Sequence, residues 1–169
     1  MTFKDLFNKN KKHHYLAEHS ERISSNFRSA SLQLKAIIED ESGPCRNQLN
    51  GWRKNTMGYR GIGFNSGIYS GLRTKGSLEV SSSDYVYDHV IGATLCGQTT
   101  EEILISESFN LQYLIKEWLF DNLYLWATIK VTKEEHKKEN ILRNKNTLSE
   151  KNLLMHYKKV YLKDLCEEK

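Results

Sequence analysis

The stretch "NLYLWATIKVTKEEH", Asn122 to His136, decides the fold class. It alternates, with Leu123, Leu125, Ala127, Ile129 and Val131 on one side and Tyr124, Trp126, Thr128 and Lys130 on the other. Successive side chains of a strand point to opposite faces, so this pattern predicts a strand with one buried face. The period then changes. Thr132 with Glu135 three residues later forms a capping box, so a helix carrying His136 is expected to start where the strand stops. A strand feeding directly into a helix, in a chain with further helical stripes, predicts an α+β fold.

Upstream lies "SSDYVYDHVIGATLCG", Ser82 to Gly97. "YVYDHVI" is rich in β-branched and aromatic residues and reads as a second strand, with "LEV" a short one before it. Between the strands, "TTEEILISESFNLQYLIKEWLF" reads as helix, with Ile103, Leu104, Leu111, Leu114, Ile115, Trp118 and Leu119 as its apolar face. From His14 to Glu41, the spacing of Leu16, Ile23, Phe27, Ala30, Leu34, Ile37 and Ile38 predicts a long amphipathic helix, stopped by Gly43-Pro44.

Residues 42–83 differ in character. Eight of the ten glycines fall here, interleaved with Trp52, Tyr59, Phe64 and Tyr69, and six basic residues face one acid, Glu79. Interior glycine costs a helix about 1 kcal/mol relative to alanine, so an irregular loop is expected. Aromatic and basic side chains on such a loop can stack on bases and pair with phosphates. The organisation expected is therefore an N-terminal helical segment (1–41), a glycine-rich basic loop region (42–83), a core (84–146) and a C-terminal helix (147–169) opened by Thr147 and Glu150, all in one compact domain.

Bulk properties narrow the class. The chain has 169 residues, 38% of them apolar, and a net charge of +4, the balance of an ordinary folded protein. Cys45, Cys96 and Cys166 are too few and too scattered for a disulfide framework or a zinc knuckle. No apolar run approaches the roughly 18–20 residues that span a bilayer, and the N-terminus lacks a signal-peptide pattern. An intracellular protein with no membrane partner is expected.

Asp88-His89 at a strand end, Asn122 leading the next strand, and His136 on the following helix together suit phosphodiester hydrolysis. Such chemistry needs a metal site, a base near neutral pKa, and a group fixing that base's tautomer. "DHVIGATLCG" followed by "DNLYLWATIKVTKEEHKKEN" resembles the two halves of an HNH endonuclease motif, and the second half is similar to the end of the colicin DNase motif. Small HNH proteins of bacteriophages, including free-standing homing endonucleases, are the nearest in kind. The resemblance spans about Tyr85 to Asn140. It departs from the family at Gly92, where proline is usual, and in its longer gaps.

That resemblance implies a ββα-metal finger, a DNA substrate and one divalent ion, Mg²⁺ or alternatively Mn²⁺. It implies Asp88 and His136 as metal ligands, with Asn140 a substitute ligand, His89 as general base and Asn122 as its orienting partner. Arg53, Lys54, Arg60, Arg73 and Lys75 of the basic region, with Lys130, Lys133 and Lys137 around the finger helix, would contact phosphates. Cutting both strands would call for a homodimer, and the setting implied is the cytoplasm of a phage-infected bacterium. The competing expectations are a non-catalytic nucleic-acid-binding protein that uses the basic loop and C-terminal helix, and an accessory protein that docks through the N-terminal helix.

Overall fold

A computed structural model of the chain describes residues 3–10, 16–65, 67–138 and 165–167. It is a mixed α+β structure in which helices surround a four-stranded mixed sheet. The short helix α1 (Phe3–Lys9) precedes the long α2 (Leu16–Ile38). The expected stripe is real: Ile23, Phe27, Ala30 and Leu34 are all buried. Phe27 carries the stripe into the core, its ring edge-on to Trp126 at 6.5 Å.

The glycine-rich region is not the irregular loop that its composition suggests. Helix α3 (Arg46–Gly51) runs on in wider π geometry through Trp52–Tyr59, and strand β1 (Ile68–Thr74) and the short α4 (Lys75–Leu78) follow. The reason lies in packing. Helix α5 (Ala93–Ser106) crosses the π segment so closely that a Cβ on Gly97 would stand 1.9 Å from the Arg53 carbonyl oxygen, and one on Gly58 2.0 Å from that of Ala93. These two glycines permit a helix crossing, and the gain in contact outweighs their modest propensity cost. The tryptophans secure the same layer, with Trp52 Nε1 donating to the Ala30 carbonyl and Trp126 Nε1 to the Met57 carbonyl, each at 2.8 Å.

Strand β2 (Tyr85–His89) lies where expected, but "LEV" forms no strand, since Leu78 ends α4. The single helix expected over 99–120 is two. Ser108 and Phe109 take positive φ (49° and 56°), and Asn110 then caps α6 (Leu111–Leu114), its Oδ1 accepting from Tyr113 N at 3.2 Å. Helix α6 extends in π geometry through Ile115–Leu119. The alternating run is strand only from Ala127: Leu123–Trp126 is a turn of 3-10 helix, and β3 spans Ala127–Thr132. Its residues are buried on both faces as far as Val131.

Residues 133–138, called α7 here, are helical and begin at the anticipated box. Glu135 N donates to Thr132 Oγ1 at 3.0 Å, and Thr132 N donates to Glu135 Oε2 at 2.7 Å. The same carboxylate oxygen accepts from Thr74 Oγ1 at 2.8 Å, which ties α7 to β1. Most of the expected C-terminal helix lies outside the described residues, as does Asn140. Its far end is not helical, because Leu165–Glu167 forms β4.

The sheet order is β2-β3-β1-β4, with β1 parallel to β3 and both outer pairs antiparallel. Among the described residues no helix is long and apolar enough to cross a membrane. The three cysteines are free thiols. Burial pushes that of Cys96 well above its usual range.

Candidate functional site

The β2–β3 register fixes the site. Val90 N donates to the Ala127 carbonyl at 3.1 Å, so residues 90 and 127 are a hydrogen-bonded pair and His89 opposite Thr128 is the closer, non-hydrogen-bonded kind. The strand pleat sends Tyr85, Tyr87 and His89 to one face and Val86 and Asp88 to the other.

On the second face, α7 brings His136 Nδ1 to 3.5 Å from Asp88 Oδ1. Asp88 is almost wholly buried, its side chain 4% exposed, whereas His136 is 34% exposed and so meets both the carboxylate and solvent. A carboxylate taken out of water is stabilised by hydrogen bonds or by a compensating positive charge, which an imidazolium or a metal ion could supply. One carboxylate oxygen and one imidazole nitrogen this close suit two positions of a divalent ion's coordination shell, the rest being open to water or phosphate oxygen. Among the described residues no set of three or more His, Cys, Asp or Glu side chains gathers into a metal site.

On the first face His89 sits under Tyr59, the rings edge-to-face at 5.4 Å. Its Nε2 is so near the backbone of Gly67 that a Cβ there would approach it to 2.9 Å. Gly67 also has φ of +68°, so both space and backbone demand glycine at that point. Among the described residues no hydrogen bond joins Asn122 to this cluster. Its Nδ2 donates to the Trp118 carbonyl at 2.7 Å, and its own carbonyl accepts from Leu125 N at 3.0 Å, fixing the turn before β3.

The basic residues divide into two groups. Arg53 is committed to Glu101: Nε pairs with one carboxylate oxygen and Nη2 with the other at 3.0 Å, with both side chains largely buried. Arg73 donates Nε to Ser77 Oγ at 3.0 Å and lies over the Tyr85 ring. Lys130 is only 7% exposed, its ammonium 4.8, 5.0 and 5.7 Å from the ring centres of Tyr69, Tyr85 and Tyr87. These three hold the structure together. Lys54, Arg60, Lys75, Lys133 and Lys137 are exposed and able to meet phosphates.

Three features of the site were missed in the sequence. They are the tyrosine cluster around Lys130, Tyr59 above His89, and Thr128 beside it. Thr128 Oγ1 is buried with no hydrogen-bond partner among the described residues. Period-two spacing of Tyr85 and Tyr87 was the available signal, whereas Tyr59 and Tyr69 arrive through tertiary folding. Comparison with protein-family models, with curated proteins and with solved structures gave no match in any of the three.

Proposed function

We propose that the protein is a metal-dependent DNA endonuclease whose reacting centre lies at the end of β2. The observation that carries this reading is the meeting of Asp88 with His136 at 3.5 Å, from elements far apart in the chain. The order of β2, antiparallel β3 and α7 supports a ββα finger with α5 and α6 inserted between its strands.

Asp88 and His136 would hold one divalent ion, which when bound would supply charge stabilisation at the phosphate. An imidazole beside a carboxylate favours Mn²⁺ or a later transition metal over Mg²⁺, whose preferred donors are all oxygen. His89 would accept the proton of the attacking water. It is the next residue after Asp88 and projects from the opposite face, so this reading requires a phosphodiester that passes around the end of β2 to reach both. Burial against Tyr59 and Gly67 holds the His89 ring, and Thr128 is the hydroxyl nearest to it in the sheet register. Exposed Lys54, Arg60, Lys75, Lys133 and Lys137 would contact phosphates without selecting sequence.

The test is cleavage of supercoiled plasmid with Mn²⁺ or Mg²⁺ against EDTA, paired with calorimetric Mn²⁺ binding. Wild-type protein should nick or linearise only with metal. His89→Ala should lose at least 100-fold in rate, the scale of general-base catalysis, while still binding metal. Asp88→Asn and His136→Ala should lose metal binding and cleavage together. Absence of both in the wild type would leave Asp88–His136 as an ion pair and favour the non-catalytic binding protein.

A further inference from the structure

The His89 face of the sheet opens on a cleft of about 370 Å³ lined by Phe64, Tyr69, Tyr87, His19, Gly67 and Thr128. Two of its walls are shared with His89: Gly67 packs against the imidazole, and Thr128 is its cross-strand partner. The lining is mainly aromatic. Tyr87 is 46% exposed and its ring stands edge-on to Tyr69 at 5.2 Å, so one ring is presented to an incoming flat group. His19 meets Phe64 in the same manner at 5.5 Å.

Positive charge brackets these rings. Lys130 lies beneath Tyr69 and Tyr87, and the exposed Arg22 stacks over Phe64 at 4.6 Å. A cleft of this size falls within the range of small-ligand sites. Aromatic walls with an exposed arginine beside them match a planar ring that carries a phosphate, because every base has a π-face to stack and the backbone is anionic. An apolar peptide side chain would satisfy the rings and bring no anion to Arg22.

We propose that this cleft receives one unpaired nucleobase of a DNA strand, so that the protein prefers single-stranded or locally melted DNA to continuous duplex. A base seated between Phe64 and Tyr87 would leave its own phosphate near His89. The connection to cleavage rests on the nuclease reading, whereas the binding preference stands apart from it.

The experiment is fluorescence anisotropy in EDTA with a labelled oligothymidylate and a hairpin duplex of equal length. Wild-type protein should bind the single strand more tightly. Tyr87→Ala should weaken single-strand binding about 5- to 150-fold, the effect of losing one stacked base, and change duplex binding little. Tyr87→Phe should keep wild-type affinity. Because Tyr87 is half exposed, its truncation should spare the fold, which a thermal melt verifies. The proposal is overturned if Tyr87→Ala binds the single strand as the wild type does, or loses duplex affinity equally. Cleavage of the same oligonucleotide with Mn²⁺ separates the two readings. Loss of single-strand binding in Tyr87→Ala with no cleavage by the wild type keeps the cleft and removes the nuclease. Metal-dependent cleavage with unchanged Tyr87→Ala binding removes the cleft alone.

Discussion

At the scale of single residues, Arg53 shows how a charge that suggests one partner in the sequence meets another in the structure. In the sequence it stands in a basic, glycine-rich run beside Lys54 and suggests a phosphate contact. In the structure its guanidinium forks onto Glu101, a carboxylate 8% exposed. Removing one partner of such a pair strands the other, and the remaining exposure of Arg53 tempers the loss. Arg53→Ala should therefore destabilise by about 2–4 kcal/mol, lowering Tm by roughly 5–15 °C, and leave DNA affinity unchanged. The double change Arg53→Met with Glu101→Leu should recover most of that stability, since no charge remains buried. If Arg53→Ala instead kept its Tm and lost DNA affinity, the arginine would be a phosphate contact after all. Asp88 and His136 were legible together because their order along the chain carried the signal. Asn122 was expected to orient His89, and its hydrogen bonds are instead those of a turn.

At the scale of elements, two local rules read correctly and others did not. The α2 stripe and the Thr132–Glu135 box are short-range patterns, fixed by helix periodicity and by neighbouring backbone N–H groups, and both stand in the structure. Strand β1 was hidden because Gly71, with φ of +76°, interrupts its pattern at the register shift between Tyr69 and Arg73. The π segment was hidden because glycine density argues against helix until the crossing partner α5 is known. Substitutions separate these uses of glycine. Gly97→Ala drives a methyl into the Arg53 backbone, which no side-chain rotation relieves, and should cost about 1–3 kcal/mol, read as a fall in Tm. Gly51→Ala, in α3 with nothing within 4 Å of the new Cβ, should be neutral or raise Tm by a few degrees. A gain at Gly97 equal to that at Gly51 would mean that propensity, and not the crossing, sets the outcome.

At the scale of the whole molecule, the α+β class followed from one strand-to-helix junction, but the sheet order did not. Parallel pairing of β1 with β3 and the seating of β4 on β1 depend on contacts distant in sequence, which no local pattern encodes. The placement of β4 has a consequence for synthesis. Leu72, Arg73 and Thr74 pair with Glu167, Cys166 and Leu165, so this flank of β1 waits for a segment made some ninety residues later. At a translation rate of about 5–20 residues per second, the delay is roughly 5–20 s. During that interval the nascent polypeptide carries an unsatisfied edge able to recruit another chain. Ending translation before Leu165 should make the delay permanent, and the shortened product should partition into the pellet on expression while the full-length chain stays in the supernatant. Equal partitioning of the two would show that β1 is protected by other means. The ribosome and its attendant chaperones, more than the finished fold, would then guard the protein through the seconds before its sheet is closed.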